Sequence, residues 1–165
     1  MKNHILIINT GGTFNKLYDP LNGELVVDQK GRALEEIASK WLTSFEIINI
    51  IGKDSLEMTN QDRLELLATL SGTEAERIII VHGTDTMHLT AEYLADAEHG
   101  KQIILTGAMV PYSIDPVEAT ANLSSAYGAL LSLKKRGIYV AMHGLVLPYN
   151  KIEKERRIGR FMAKK

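Results

Sequence analysis

An alternation of short apolar runs and helical patterns along the 165 residues limits the possible folds more than any other feature of the chain. Five runs are almost wholly apolar, end near a glycine or a polar cluster, and occupy residues 4–9, 45–51, 77–82, 102–106 and 138–142. Such runs are typical of parallel strands covered on both faces. Helical patterns separate them, over residues 32–42, 59–70, 86–98 and 116–136. The alternation predicts one α/β domain with an open, mostly parallel, doubly wound sheet of the flavodoxin or Rossmann type.

Composition excludes several classes of function. With no cysteine among its residues, the chain has neither a disulfide framework nor thiolate chemistry. No apolar run is long enough to cross a bilayer, and the first residues are too short and too strand-like for a signal peptide, so a cytoplasmic location is predicted. A net charge of −1 gives no general attraction to nucleic acid.

The last residues differ from the rest in charge. Residues 151–165 carry seven Lys or Arg against two Glu, which gives +5 and leaves −6 for the first 150 residues. This pattern predicts a solvated helix with its apolar residues on the inner side, namely Ile152, Ile158, Phe161 and Met162.

The segment from residue 14 to residue 31 interrupts the alternation. It is polar, contains Gly23 and Gly31, and encloses a short β-like piece, GELVVD. A long connection in a compact domain is often a mobile lid, and that is the prediction here.

Polar and glycine-rich loops follow all of the predicted strands. They are Thr10–Thr13, Gly52–Ser55, His82–Thr86, Thr106–Met109 and His143–Gly144. In open α/β sheets ligands bind beyond the carboxyl ends of the strands, so these loops predict a site at one rim of the sheet.

The residue types at this rim favour a hydroxyl nucleophile. The chain has no G-x-G-x-x-G after its first strand, no Walker A motif and no H-E-x-x-H, and its five histidines show no metal-ligand spacing. We therefore expect neither metal nor cofactor. A threonine alcohol needs a neighbour to take its proton, and Tyr18, Asp85, Lys151 and Lys154 are the candidates. Glycines at 11, 12, 83 and 107 would let a substrate reach main-chain N–H groups. The alternative is that Thr13 only caps a turn.

Two motifs carry a family resemblance. Thr10-Gly11-Gly12-Thr13 follows the first strand, and His82-Gly83-Thr84-Asp85-Thr86-Met87 follows the third. Together with residues 54–58 (DSLEM) and 106–109 (TGAM), they make the chain resemble the bacterial-type L-asparaginases, which are threonine amidohydrolases. The resemblance implies that residues 1–165 form one catalytic domain of the asparaginase N-terminal type.

The resemblance also implies roles for individual residues. Thr13 looks like the nucleophile, and Tyr18 on the lid would help to move its proton. Thr84 would be a second hydroxyl, linked to Lys154 and Asp85, with Lys151 as the rival lysine. The implied substrate contacts are the main chain of Gly12 and Gly83, the Ser55 hydroxyl for the α-carboxylate, Asp85 for the α-ammonium group and the Ala108 carbonyl near the leaving amide.

The implied function is hydrolysis of L-asparagine to L-aspartate and ammonia through a threonyl ester, with weak action on L-glutamine, by a homo-oligomer. Typical members of the family are about twice as long, so a short form or an excised fragment is implied. The Phe14-Asn15-Lys16 sequence also departs from the family's usual lid. Two other interpretations stay open: a non-catalytic module that binds Asp or Asn, and a nucleotide or phosphate binder that uses the TGGT loop as an anion nest.

Overall fold

The computed structural model describes residues 4–97 and 99–165. Ten strands and four α-helices occur within these residues. In chain order they are β1 (Leu6–Gly11), β2 (Lys16–Asp19), β3 (Glu24–Val27), α1 (Arg32–Lys40), β4 (Glu46–Lys53), α2 (Asn60–Gly72), β5 (Arg77–Val81), α3 (Met87–Asp96), β6 (Gln102–Thr106), α4 (Pro116–Ser132), β7 (Gly137–Met142), β8 (Leu145–Pro148), β9 (Ile152–Glu155) and β10 (Arg160–Ala163).

The main sheet confirms the predicted fold class. Its six strands lie in the order β4-β1-β5-β6-β7-β8, and all neighbouring pairs are parallel except β7 and β8. Numbered along the chain, the five parallel strands have the order 2-1-3-4-5, which is the flavodoxin-like arrangement. The antiparallel edge strand β8, which follows β7 after a two-residue turn, was not predicted.

Alternate residues of the central strands point to opposite faces, and each face carries two helices. Leu6 and Ile8 of β1 join one apolar cluster with residues of α2 and α3. Ile5 and Ile7 join a second cluster with residues of α1 and α4. Burial on both faces explains why the strands read as continuous apolar runs.

The helix starts follow the sequence signals. The Thr59 side chain accepts a hydrogen bond from the Asp62 amide while Asp62 accepts one from the Thr59 amide, so the predicted capping box is present at α2. Pro116 lies in the first turn of α4, and the Asp115 side chain caps it. The helix ends are earlier than predicted: α4 ends at Ser132 and α3 at Asp96. The predicted end of α3 at residue 98 lies outside the described residues.

The prediction of a helix over residues 151–165 is wrong. Strands β9 and β10 form an antiparallel hairpin in which Lys154 lies opposite Phe161. Ile152 and Phe161 are buried as predicted, but Ile158 and Met162 are exposed. Each strand of the hairpin buries a single residue, Ile152 in β9 and Phe161 in β10, and the charged residues around them conceal the strands in the sequence.

The segment after the TGGT motif forms a second hairpin. Strand β2 pairs with β3, which contains the predicted β-like piece, and Tyr18 lies opposite Leu25. Tyr18, Leu21, Leu25 and Val26 are all exposed, so little of the hairpin's apolar surface is covered. No helix of the described chain is long and apolar enough to span a membrane.

Candidate active site

The topology of the sheet fixes where a site can form. Strand β1 lies between β4 and β5, and the chain leaves β1 for β4 on one side before it crosses to β5 on the other. Such a switch point opens a crevice beyond the carboxyl ends of the two central strands. The TGGT loop and the HGTDT loop are the loops that follow β1 and β5.

These two loops touch through their glycines. A Cβ atom on Gly12 would lie 2.5 Å from the main-chain nitrogen of Gly83, so no other residue fits at Gly12 without a shift. Gly12 also has φ 74° and ψ −179°, a conformation that is nearly confined to glycine. Because Thr13 and Thr84 each follow one of these glycines, they lie on adjacent loops at the same rim of the sheet.

Thr84 and Asp85 share a lysine. The Lys154 Nζ atom donates to Thr84 Oγ1 at 2.9 Å and to Asp85 Oδ1 at 2.9 Å. Lys154 comes from β9, about 70 residues further along the chain, and only 12% of its side chain is exposed. Thr84 Oγ1 in turn donates to the Met109 sulfur at 3.3 Å. Lys151, the rival lysine, has an exposed position at the end of the turn before β9.

A second cation, which the sequence motifs do not indicate, also contacts Asp85. Arg156 Nη1 donates to Asp85 Oδ1 at 2.8 Å, and Arg156 Nη2 donates to the Asp85 main-chain oxygen at 2.8 Å. These hydrogen bonds, with that from Lys154 the strongest influence, hold the pKa of the Asp85 carboxyl below its usual value despite partial burial. In a strand, a basic residue two positions after Lys154 would lie on the same face as Lys154. The sequence therefore contains a signal for Arg156, but the prediction of a helix in this segment conceals it.

Thr13 and Tyr18 are not hydrogen-bonded to each other. Among residues 4–97 and 99–165, no hydrogen bond involves the side-chain oxygen of either residue, and 64% of Tyr18 is exposed. Thr13 begins a short 3-10 turn, and Tyr18 lies in the β2–β3 hairpin. Two other tyrosines in loops, Tyr112 and Tyr149, pack against the apolar clusters: Tyr112 against the one around α1 and α4, and Tyr149 against the one around α2 and α3.

Ser55 lies under the HGTDT loop. It is 1% exposed, and its Cβ atom would be 2.6 Å from a Cβ atom on Gly83. Its Oγ atom accepts a hydrogen bond from the Thr86 amide at 3.3 Å, and its carbonyl accepts one from the Thr86 hydroxyl at 2.8 Å. The structure thus brings Ser55 to the site, where it supports the main chain of the loop.

An ion pair ties the β2–β3 hairpin to the loop that follows β4. Lys16 at the start of β2 makes an ion pair with Asp54 at 2.7 Å. Partial burial would by itself raise the pKa of Asp54, but hydrogen bonds from Lys16 and from the Leu56 amide outweigh burial and lower it. The charge of Asp54 is therefore already balanced by that of Lys16.

Two polar residues of α4 hold the remaining rim loops. The Asn122 amide nitrogen donates to the Gly107 carbonyl at 2.9 Å, and its side-chain oxygen accepts from the His143 amide at 3.0 Å. Glu118 accepts from the amides of Met109 and Val110 at 2.8 and 3.0 Å. Ala108, whose carbonyl is predicted to lie near the leaving amide, is buried between these contacts. In the sequence, Glu118 and Asn122 can be recognised as polar residues four positions apart on an otherwise apolar helix face.

His82 belongs to the buried support of the loop. Burial lowers its pKa to about 4, with Arg63 adding to the effect. Its Nδ1 atom donates to the Gly83 carbonyl at 2.7 Å, and its Nε2 atom accepts from the Thr90 hydroxyl at 2.8 Å. Arg63 Nε donates to the same Thr90 hydroxyl at 3.0 Å. Both ring nitrogens are thus engaged, and no group of three metal-ligating side chains occurs among the described residues.

Comparison with known proteins assigns the chain to a family. Residues 4–160 match the family model described as the N-terminal domain of asparaginase. The chain belongs to the asparaginase family.

Individual relatives agree with this assignment. The chain is 32% identical over 154 residues to a component of the glutamyl-tRNA(Gln) amidotransferase of Methanococcus maripaludis, covering 86% of this chain and 35% of that protein. It is 30% identical over 162 residues to a probable periplasmic L-asparaginase of Haemophilus influenzae, covering 87% of this chain and 44% of that protein.

Solved structures show the same fold. The thermostable L-asparaginase of Thermococcus kodakarensis superimposes with a TM-score of 0.84 at 24% identity, covering 97% of this chain and 51% of that one. A probable cytoplasmic L-asparaginase of Campylobacter jejuni gives a TM-score of 0.75 at 25% identity, covering 97% and 52%. The chain therefore spans about a third to a half of the length of these relatives.

Proposed function

We propose that the protein is an amidohydrolase that cleaves the side-chain amide of L-asparagine, giving L-aspartate and ammonia. The observation that carries this proposal is the pair of hydrogen bonds from Lys154 to Thr84 and Asp85, next to the loop that holds Thr13. Membership of the asparaginase family supports it, and the relatives include proteins described as L-asparaginases and glutaminase-asparaginases.

The chemistry is a two-step acyl transfer. Thr13 Oγ1 attacks the amide carbon and loses its proton as the C–N bond breaks, and the nitrogen leaves as ammonia with that proton. The product is a β-aspartyl ester of Thr13. Water then attacks the ester carbon, aspartate leaves, and the proton returns to the Thr13 oxygen.

The surrounding residues have distinct tasks in this scheme. Main-chain N–H groups of the Gly12 and Gly83 loops stabilise the oxyanion, a type of contact that is typically worth about 3–4 kcal/mol. Lys154 holds Thr84 and Asp85 in place and takes part in proton movement. Ser55 and Asp85 bind the substrate's α-carboxylate and α-ammonium groups. The Ala108 carbonyl accepts a hydrogen bond from the leaving amide.

Tyr18 completes the site only after a movement. Because it is exposed on the β2–β3 hairpin and forms no hydrogen bond to Thr13, we propose that the hairpin closes over the substrate and delivers Tyr18. The same observation favours the second candidate function, a module that binds Asp or Asn without turnover.

We also propose the domain organisation, location and assembly of the protein. Residues 1–165 act as one catalytic domain, the protein is cytoplasmic, and it assembles as a homo-oligomer. Light scattering of the purified protein tests the assembly, since a monomeric mass would contradict it.

The central test measures ammonia release from L-asparagine and L-glutamine. The Thr13→Ala variant should lose activity by at least about 100-fold while its circular dichroism and melting temperature stay near those of the wild type. Thr43→Ala, at an exposed position beyond α1, is the matched control and should leave activity unchanged. Full activity of Thr13→Ala contradicts the nucleophile assignment. No ammonia from the wild type, together with calorimetric binding of aspartate, favours the binding module instead.

A further inference from the structure

If the proposed function holds, the contacts of Asp85 affect which substrate the site prefers. The carboxylate assigned to the substrate's ammonium group already has two cationic partners. Both use Oδ1, where Lys154 lies at 2.9 Å and Arg156 at 2.8 Å. Arg156 also donates to the Asp85 main-chain oxygen, which makes it a two-point contact. An incoming ammonium group would have to displace Arg156 or share its carboxylate.

The charges around Asp85 do not favour a third cation. One carboxylate faces two cations, which leaves an excess of one positive charge. Asp54, the carboxylate whose charge interacts with that of Asp85, is itself paired with Lys16, and Glu155 is paired with Arg157. The repulsion between like charges within a few ångströms is appreciable at a partly buried site.

A cavity beside Lys154 and Arg156, which Thr13 and Ser55 do not line, also has more cations than carboxylates in its wall. About 290 Å³ of space lies between α3 and the β9–β10 hairpin, and Thr84, Lys154, Arg156 and Lys164 contribute to its wall. Glu153 is the carboxylate in that wall. A surface with an excess of cations raises the local concentration of anions and lowers that of cations.

We propose that Arg156 stands in for the substrate's ammonium group and makes the site prefer half-amides of C4 dicarboxylic acids that lack an α-amine over L-asparagine. Such a compound keeps the amide for Thr13 and the carboxylate for the rim, and it leaves the Arg156–Asp85 pair intact. L-Asparagine remains a substrate, with its affinity reduced by competition between its ammonium group and Arg156. Arg156 is therefore a specificity-determining residue.

The chain offers a matched pair of variants for the test. Arg156→Gln removes the charge that contacts Asp85. Arg157→Gln removes the same charge from the next residue, whose guanidinium contacts Glu155 and is largely exposed. Both changes alter net charge equally, so a difference between them reports the contact with Asp85.

Calorimetric titration with succinate and L-aspartate tests selectivity without requiring turnover. The wild type and Arg157→Gln should bind succinate at least about tenfold more tightly than L-aspartate, a difference of about 1.4 kcal/mol. In Arg156→Gln the preference should fall by at least about tenfold, because L-aspartate gains access to Asp85. Equal or tighter binding of L-aspartate by the wild type, an unchanged preference in Arg156→Gln, or no binding of either compound would overturn the inference.

Kinetics with succinamate and L-asparagine separate this inference from the proposed function. Succinamate should have the higher kcat/KM, and Arg156→Gln should lower the KM for L-asparagine with kcat changed by less than about twofold. If the succinate preference is found but no variant releases ammonia from either amide, the proposed hydrolysis fails while the selectivity stands. If ammonia is released with L-asparagine preferred, hydrolysis stands and the selectivity fails.

Discussion

Gly12 is the residue whose backbone most directly joins the two threonine loops. Its positive φ and its contact with Gly83 leave no room for a side chain. Gly23, at the tip of the lid hairpin, has a similar φ of 70°, but a Cβ atom placed there would have no neighbour within 4 Å. A side chain at Gly12 would therefore meet both crowding and an unfavourable backbone conformation, whereas a side chain at Gly23 would meet only the positive φ.

We expect Gly12→Ala to destabilise the protein far more than Gly23→Ala. The control carries only the left-handed backbone penalty, about 1–2 kcal/mol. Gly12→Ala adds overpacking against Gly83 and a backbone conformation nearly confined to glycine, so its loss should exceed that of the control by about 2 kcal/mol or more. Urea denaturation followed by circular dichroism measures both, and equal losses would contradict the crowded contact between the loops.

Lys154 and Lys151 are close in sequence but differ in their contacts. Lys154 is nearly buried against Thr84 and Asp85, whereas Lys151 is exposed. We expect Lys154→Met to reduce ammonia release at least about 100-fold and Lys151→Met to leave it within about twofold, because a positioned proton-transfer group contributes on that scale. Loss of activity in Lys151→Met with retention in Lys154→Met would assign the role to Lys151 instead.

At the scale of elements, the β9–β10 hairpin carries Lys154 and Arg156 to the loop after β5. Phe161 anchors this hairpin: it is buried, its ring lies 5.8 Å from that of His143, and its amide donates to His143 Nδ1. Its neighbour Met162 faces the solvent on the same strand. The anchoring of the hairpin thus depends on one of two adjacent apolar residues.

Phe161→Ala should cost about 3–5 kcal/mol of stability, and Met162→Ala less than about 1 kcal/mol. Phe161→Ala should also lower ammonia release, since Lys154 lies opposite it in the hairpin. Chemical denaturation and the ammonia assay measure the two effects. A similar loss of stability in both variants would contradict the burial of Phe161 and the exposure of Met162.

At the scale of the whole molecule, the neutral state of His82 links stability to pH. Its pKa is about 4 in the folded protein and about 6.5 when unfolded, so the unfolded chain binds the extra proton between these values. Stability is therefore unaffected by His82 above about pH 6.5 and falls as the pH drops towards 4. At pH 4.5 the loss from this residue amounts to about 2–3 kcal/mol.

His82→Gln should reduce this pH dependence. The variant cannot take up a proton at residue 82, so its free energy of unfolding should fall by about 2–3 kcal/mol less between pH 7 and pH 4.5 than that of the wild type. The comparison uses the change with pH, so a constant loss from the altered hydrogen bonds does not affect it. Parallel pH curves for the two proteins would contradict a neutral, buried His82.

Local sequence signals were sufficient to predict the parallel strands of the main sheet and the helices between them. Nearly continuous apolar runs identified the strands, and the Thr59 and Pro116 signals located two helix starts, because periodicity and capping depend on residues a few positions apart. The same signals placed Thr13 and Thr84 in loops after two of these strands. They failed for residues 151–165, where β9 and β10 each bury one residue among many charged ones and so leave no periodic apolar pattern.

The packing of elements that are distant in sequence determines which side chains meet at the rim. The contacts of Asp85 with Lys154 and Arg156 join residues about 70 positions apart, and they depend on how the last hairpin packs beside α3. The open position of Tyr18 likewise depends on the hairpin that carries it and not on its distance along the chain from Thr13. Short-range patterns specify strands and helices, but the reach of a side chain across the rim is set by contacts between elements that are far apart in sequence.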